Sequence, residues 1–355
     1  MRILTENLLP YPKRIVNMRK DILEKKEYLR NEQASKDIRF VAYRGNDKDG
    51  KERDCIIKLC DNRVERIDVF GPEEMETGSV YLGRIENENK NISASFADIG
   101  LTGPVFVPGS HKPGTELPLM IKTLPYKTKL AKASDKIPAK IAGAVFEKAA
   151  HSVKGSLLYK APGPFEKSLK EVCETDKAKW ITEDQILYER ALNICGQDER
   201  IVMHEADISL CALYGLSTKI SRVFSPKVDL KSGAQIVIAE TEAMCVIDVN
   251  SAKAVKGGDR EETFLKINLE AGAEICAQIA ARNLGGIILI DFISMKDAES
   301  ETILLEDLRL RLEMLDPPAK LEDITKLGIV EISRKRLKGS LSLEKAFVDS
   351  TILIK

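Results

Sequence analysis

Ala243–Lys256 reads AMCVIDVNSAKAVK and Gly285–Met295 reads GGIILIDFISM. Each stretch is an apolar, β-branched run that closes on an aspartate, Asp248 in the first and Asp291 in the second. Between them, Asp259-Arg260-Glu261-Glu262 has the acid-then-Glu spacing of a capping box. Phe264, Leu265, Leu269, Ile275 and Ile279 then fall on or near one face, and Gly285-Gly286 closes the segment. That pattern predicts one long amphipathic helix between two strands. A strand–helix–strand unit sets its strands parallel, so both acids are expected at the same end of one sheet. The nearly continuous apolar run Ile287–Ile293 predicts a strand covered on both faces. Two carboxylates meeting at strand ends form a hard-oxygen site suited to Mg²⁺. Asn250, two residues past Asp248, shares its face and offers an amide to orient a carboxylate or a water. The same pattern also fits an Asx turn at Asp248 and a loop cap at Asp291.

Outward from this unit, AQIVIA (Ala234–Ala239) predicts a preceding strand. A helix from about Ala298 to Leu315 is stopped by Pro317-Pro318, and Ile329–Ser333 predicts a final strand. Its exit, Arg334-Lys335-Arg336-Leu337-Lys338, is densely basic, and with Lys256 and Gly257-Gly258 it favours a phosphate-bearing substrate. Further upstream, Leu216–Phe224 predicts a helix ended by Pro226, and Ile201–Leu213 mixes strand and helix signals. Phe165–Ile194 reads as mostly helical with Trp180 buried, and GSLLYK (Gly155–Lys160) as a strand entering the turn Ala161-Pro162-Gly163-Pro164. Cys55–Phe70 reads as a hairpin about Asp61-Asn62, and the runs VYLGRIENE, ISASFADIG and PVFVPG as a small β-barrel. Phe96 and Phe106 lie on consecutive strands of that barrel, either filling its core or stacking on bases. Lys122, Lys127, Lys129, Lys132, Lys136 and Lys140, with Tyr126 among them, form either a phosphate-tracking strip or a solvated basic loop. Residues 1–50 read as a weakly packed appendage, with a charged helix over Lys13–Ala34 and a turn at Gly45–Lys51.

The chain's 355 residues allow two or three domains, and its 43% hydrophobic content supports real cores. With 55 basic and 55 acidic residues, any basic surface must be local. Seven scattered cysteines without a CxxC pair, and three histidines in no ligand-like spacing, fit reduced, mostly buried thiols in a cytoplasmic protein and no structural zinc. No apolar run approaches a membrane span, and the first residues do not resemble a secretory signal.

At Thr241–Met295 the sequence resembles the catalytic region of the ribonuclease E/G family. TEAMCVIDVNS, GGDREETF, NLEAGAEI and NLGGIILIDFISM are similar to that family's signature almost throughout. ITKLGIVEISRKR (Ile324–Arg336), GSVYLGRI and SASFADIG match further family segments. The resemblance implies an α/β multidomain fold: an RNase H-like scaffold with an inserted OB-fold barrel, followed by a DNase I-like α/β catalytic subdomain. The implied division is an extension at 1–50, RNase H-like parts at 51–78 and 172–223, the barrel at 79–133, a degenerate 5′-sensor-like segment at 134–171, the catalytic subdomain at 224–340 and a tail at 341–355.

The implied activity is Mg²⁺-dependent endoribonucleolytic cleavage of single-stranded RNA, leaving 5′-phosphate and 3′-hydroxyl ends. Asp248 and Asp291 would hold the metal with Asn250 in support, and Phe96, Phe106 and either Lys127 or Lys129 would bind RNA. Three departures stand out. The family's cysteine zinc-link after the SRQR-like segment is missing, so no zinc-linked assembly is expected, while homo-oligomerisation stays open. Lys160-Ala161 stands where the family's 5′-monophosphate pocket has an Arg-Thr pair, so only a point charge at Lys160 is left for sensing. Ser294 stands where an acid is common. The alternative is an RNA-binding protein of the same family with weak or no catalysis.

Overall fold

A computed structural model of the protein describes residues 36–47, 49–71, 75–101, 103–126, 128–251 and 260–353. The expected Lys13–Ala34 helix, Lys127, and Lys256 with the glycines and cap residue that follow it lie outside the described residues.

In chain order the strands are β1 (Ile38–Asn46), β2 (Glu52–Cys60), β3 (Arg63–Phe70), β4 (Val80–Asn89), β5 (Ala94–Asp98), β6 (Val105–Pro108), β7 (Glu116–Thr123), β8 (Lys132–Ser134), β9 (Leu157–Tyr159), β10 (Ala178–Thr182), β11 (Ile201–Met203), β12 (Lys227–Asp229), β13 (Gln235–Glu240), β14 (Met244–Asn250), β15 (Gly286–Asp291), β16 (Ala319–Ile324) and β17 (Ile329–Arg334). The helices are α1 (Ala139–Ala149), α2 (Pro164–Glu174), α3 (Gln185–Cys195), α4 (Leu210–Leu213), α5 (Leu216–Phe224), α6 (Arg260–Ala281), α7 (Ala298–Glu313) and α8 (Lys345–Val348). The chain divides into two compact units. One comprises Lys58–Arg66 and Thr218–Lys335 with the described residues up to Arg39; the other comprises Phe40–Ile57, Ile67–Ser217 and Arg336–Lys355.

The unit with Thr218–Lys335 is built on a six-stranded sheet in the order β12-β13-β14-β15-β17-β16. Only β14 and β15 pair in parallel; every other neighbour pair is antiparallel. Helix α6 supplies the crossover between the two parallel strands, as its apolar spacing predicts. One face of the sheet (Ile236, Ile238, Ile247, Ile288, Ile290, Val330 and Ile332) packs against Ile267, Ala271, Ile275 and Ile279 of α6 and Leu304, Leu308 and Leu312 of α7. The other face is open: Val246 is 39% and Ile287 51% exposed. The expectation of a strand covered on both faces is therefore corrected, because antiparallel neighbours flank the single parallel pair and such sheets tolerate one solvated face. The same unit holds the β2–β3 turn, where Asp61 and Asn62 both have positive φ and Arg63 bonds the buried Glu274 of α6.

In the other unit, β4, β5, β6, β8 and β7 close into a five-stranded, OB-like barrel by the added β4–β5 pairing, with β9 joined to β4. Its core holds Ile85, Ile99, Val105, Val107, Leu119 and Ile121. Gly83 leaves room for Leu119 beside β4: a Cβ there would lie 2.6 Å from the Leu119 side chain and force it to shift.

A separate sheet runs β11-β10-β1-β2-β3. Here the reading of residues 1–50 as a weakly packed appendage fails for β1, whose Phe40, Val41, Ala42 and Tyr43 are buried and which lies between β10 and β2. The helical reading of Phe165–Ile194 resolves into α2 and α3 with β10 between them. Trp180 is fully buried as expected, its indole N–H donating to Ser168 Oγ at 3.1 Å. Residues 341–353 are more than a tail: Phe347, Val348 and Ile352 are buried, and Arg53 lies 5.9 Å from the Phe347 ring centroid.

Ile247 stands at the centre of the six-stranded sheet with no exposure. Ile247→Ala is expected to lower unfolding stability by about 2–5 kcal/mol, read from urea denaturation.

Candidate active site

β14 and β15 run parallel with Asp248 directly opposite Asp291. Adjacent strands lie about 4.8 Å apart, so the two carboxyl groups leave the sheet side by side. Alternation puts Cys245, Ile247 and Val249 into the core and Val246, Asp248 and Asn250 on the open face; Leu289 and Asp291 share that face. Asp248 is half-buried and Asp291 exposed. Asn250 Nδ2 donates to Asp248 Oδ2 at 2.6 Å, orienting one carboxylate. Val237 and Ile329 complete this row across the sheet. The turn-and-cap alternative is set aside for this pair, since both aspartates are the last acids of paired strands on one face.

Two hard-oxygen donors with an orienting amide fit a small divalent cation such as Mg²⁺. Like charges directly opposite on neighbouring strands are otherwise unfavourable. Among the described residues, no third His, Cys, Asp or Glu joins the pair in a metal-holding cluster.

The chain leaving Asp291 is held by α6. Asn268, fully buried, donates through Nδ2 to Ile293 O at 2.8 Å and accepts from Ile293 N at 3.1 Å. Glu261 accepts from the backbone N–H groups of Lys296 and Asp297, and Asp297 caps α7 by accepting from Ser300 N at 2.9 Å. Asn268 escaped the sequence reading. Its signal was a lone amide within the buried stripe Phe264, Ile267, Ala271 and Ile275, where an apolar residue is the norm. Ser294 is exposed on this same segment.

The basic exit of β17 is largely committed to the fold. Arg334 is buried, donating to Pro317 O at 2.9 Å, Leu284 O at 2.7 Å and Asp316 O at 2.8 Å. Arg336 stacks 4.3 Å from the Tyr126 ring centroid, and Lys338 pairs with Asp68 at 2.6 Å. The reading of this run as a phosphate-facing cluster is corrected accordingly; Lys335 is exposed.

On the barrel, Phe96 and Phe106 are directly paired on β5 and β6, half-buried, with ring centroids 5.9 Å apart in an edge-to-face arrangement. Both point away from the barrel core, which Ala97, Val105 and Val107 fill from the alternate positions. Lys132, opposite Phe106 on β8, holds its ammonium 5.9 Å from the Phe106 ring centroid. Lys129 is instead exposed on a small turn closed by its backbone bonds to Tyr126. Among the described residues, Lys132 is thus the lysine brought to the aromatic pair, by a parallel strand pairing that local sequence does not reveal.

Lys160 is exposed at the end of β9. Ala161 N donates to Ser79 Oγ at 3.0 Å, and carboxylate oxygens of Glu76 and Glu166 stand 3.1 Å from where a Cβ on Gly163 would lie. Acidic groups therefore stand at Gly163, three residues past Lys160.

The family model for the Ribonuclease E/G family matches residues 128–337, more than half of the chain. The chain belongs to the ribonuclease E/G family. Ribonuclease E of Escherichia coli (strain K12) is 39% identical over 142 residues, 40% of this chain and 13% of that protein. Ribonuclease G of Haemophilus influenzae is 36% identical over 143 residues, 40% of this chain and 29% of that protein. The chloroplastic Ribonuclease E/G-like protein of Arabidopsis thaliana is 32% identical over 158 residues, 44% of this chain and 16% of that protein. The matched segments thus span less than a third of the length of each of these relatives. No helix among the described residues is long and apolar enough to cross a membrane.

Because Asp248 and Asp291 repel across the β14–β15 pair, Asp291→Asn is expected to stabilise the metal-free protein by about 0.2–1 kcal/mol. Added Mg²⁺ should raise the melting temperature of the native chain and leave that of the variant nearly unmoved, as differential scanning fluorimetry would record.

Proposed function

We propose that this protein is a Mg²⁺-dependent endoribonuclease that cuts single-stranded RNA and leaves 5′-phosphate and 3′-hydroxyl ends. The observation that supports this most is the in-register pairing of Asp248 with Asp291 on one open face, with Asn250 bonded to the first. The family's catalytic-subdomain signature covers the same segment. Under this reading the Thr218–Lys335 unit is the DNase I-like subdomain, and the β11-β10-β1-β2-β3 sheet is the RNase H-like scaffold.

Asp248 and Asp291 would hold the ion. When bound, it lowers the pKa of a water and offsets charge developing on the phosphorus. Asn250 keeps the Asp248 carboxylate in one orientation, so little rearrangement is needed when substrate arrives. Phe96 and Phe106 offer faces on which bases stack with little regard to sequence, and Lys132 adds a cation for the backbone. This combination favours unpaired RNA, whose bases are free to stack on side chains. The loss of an Arg fork, with Lys160 exposed in its place, argues for weak discrimination of the 5′ end.

Asp248→Asn and Asp291→Asn should each cut turnover of a labelled single-stranded RNA at least about 100-fold, and chelation of Mg²⁺ should abolish it. RNA binding by filter retention should stay within about twofold in both variants. Native-like turnover in either would exclude this function, and binding without cleavage by the native chain would favour the non-catalytic reading. Phe106→Ala and Lys132→Ala should weaken RNA binding by about 1–3 kcal/mol and about tenfold or less, respectively, with the Lys132 effect shrinking at high salt. Matched 5′-monophosphate and 5′-triphosphate RNAs should be cut at similar rates.

A further inference from the structure

We propose that Asn268 is a positioning residue for the metal pair, acting on Asp291 through the backbone of Ile293. This rests on the function proposed above. The segment from Asp291 to the start of α7 leaves the sheet at the point where one carboxylate must stay beside another that repels it. Without an anchor, the cheapest relief is for the chain beyond Asp291 to swing outward. Asn268 blocks that motion with two hydrogen bonds to a single residue, two positions past Asp291, one to its N–H and one to its C=O. A hydrogen bond made at zero exposure does not compete with water, so it fixes both distance and direction. Glu261, two helical turns earlier on α6, holds Lys296 and Asp297 farther along the same segment. The crossover helix therefore links the strands of the two aspartates and also clamps the exit of the second. Outer partners that hold a ligand in place typically alter metal affinity 10- to 100-fold when removed.

The test measures metal binding directly, by titrating the full chain with Mn²⁺ and following free ion by electron paramagnetic resonance. Asn268→Leu keeps the volume and removes both bonds; Asn268→Asp keeps the acceptor and serves if the leucine variant does not fold. Ile267→Val, buried on the same helix without a bond to the exit segment, is the stability control. The Asn268 variant should bind Mn²⁺ at least about tenfold more weakly than the native chain. It should show the same rise in the Mg²⁺ concentration for half-maximal cleavage and an unchanged KM for RNA. Ile267→Val should lower the melting temperature and leave Mn²⁺ affinity alone. Equal Mn²⁺ affinity in native and Asn268 variants would overturn the positioning role while leaving the proposed function standing. Native binding no tighter than that of Asp291→Asn would overturn the metal pair itself.

A second inference rests on a separate observation. Cys173, near the end of α2, and Cys195, the last residue of α3, hold their sulfurs 3.6 Å apart. Cys173 is the exposed cysteine among the described residues, whereas Cys195 is half-buried. We infer that the two form an oxidisable dithiol that closes to a disulfide on exchange with a small disulfide such as glutathione disulfide. Closure from 3.6 Å to the ~2.05 Å of a disulfide is a short approach of two sulfurs that already touch. Burial, and the hydrogen bond with Cys173, push the Cys195 thiol up to about 11, which leaves the exposed Cys173 as the entry nucleophile.

In the first exchange the Cys173 thiolate attacks glutathione disulfide, forming a mixed disulfide and releasing one glutathione. Cys195 then attacks Cys173 Sγ and releases the second, so two protein thiols are oxidised as one disulfide is reduced. Intact-mass and peptide analysis after incubation with glutathione disulfide should show loss of two hydrogens and a Cys173–Cys195 crosslink. Cys195→Ser should stall as a glutathione adduct on Cys173. A lasting glutathione adduct on the native chain, or no reaction at Cys173, would overturn the inference.

Discussion

The parallel pairing of β14 with β15 places Asp248 opposite Asp291, and the rest of the Thr218–Lys335 unit is arranged around that single register. A slip of either strand by one residue would send its acid into the core and its isoleucines to the surface. Apolar burial guards against it: Ile247 and Ile290 are fully buried against α6 and α7, immediately before the two aspartates. Cohesion on one face therefore holds two like charges together on the other. The geometry is unfavourable for an empty sheet and suited to one that grips a cation.

The same division explains which polar groups are buried. Asn268 and Glu261 of α6 tie down the backbone beyond Asp291, and Arg334 gathers several carbonyls at the far end of the sheet. Arg334 and Asn268 neutralise backbone groups where chain segments turn away from regular pairing, which is where unpaired carbonyls and N–H groups would otherwise be costly. Their effect is to give the open face a rigid floor. The barrel follows another logic, with small and branched residues inside and two aromatic rings outside within reach of Lys132.

Much of this was legible in the sequence. The apolar runs ending at Asp248 and Asp291, the helix between them and the Asp61-Asn62 hairpin are local patterns, and each became the element it suggested, although the run at Ile287–Ile293 did not reveal that one face of its strand is open. Strand β1 was overlooked because its buried core, Phe40–Tyr43, is flanked by Arg39 and Arg44 and follows a charged stretch. Strand β10 was absorbed into a helical reading because five residues between two helices carry little period of their own. The basic run at Arg334–Lys338 looked free because its partners, Tyr126 and Asp68, lie more than 200 residues earlier in the chain. Lys132 was one of six lysines, and its place beside Phe106 depends on the non-local β6–β8 pairing. What sequence conceals here is non-local pairing.

The most direct measurement is anomalous diffraction from crystals grown with Mn²⁺ and a short single-stranded RNA bearing a non-hydrolysable linkage. The paired carboxylates require an anomalous peak within coordination distance of both Asp248 and Asp291, beside a phosphate of the RNA. An ordered RNA with no peak at that pair, or with the metal held by other residues, would contradict the account.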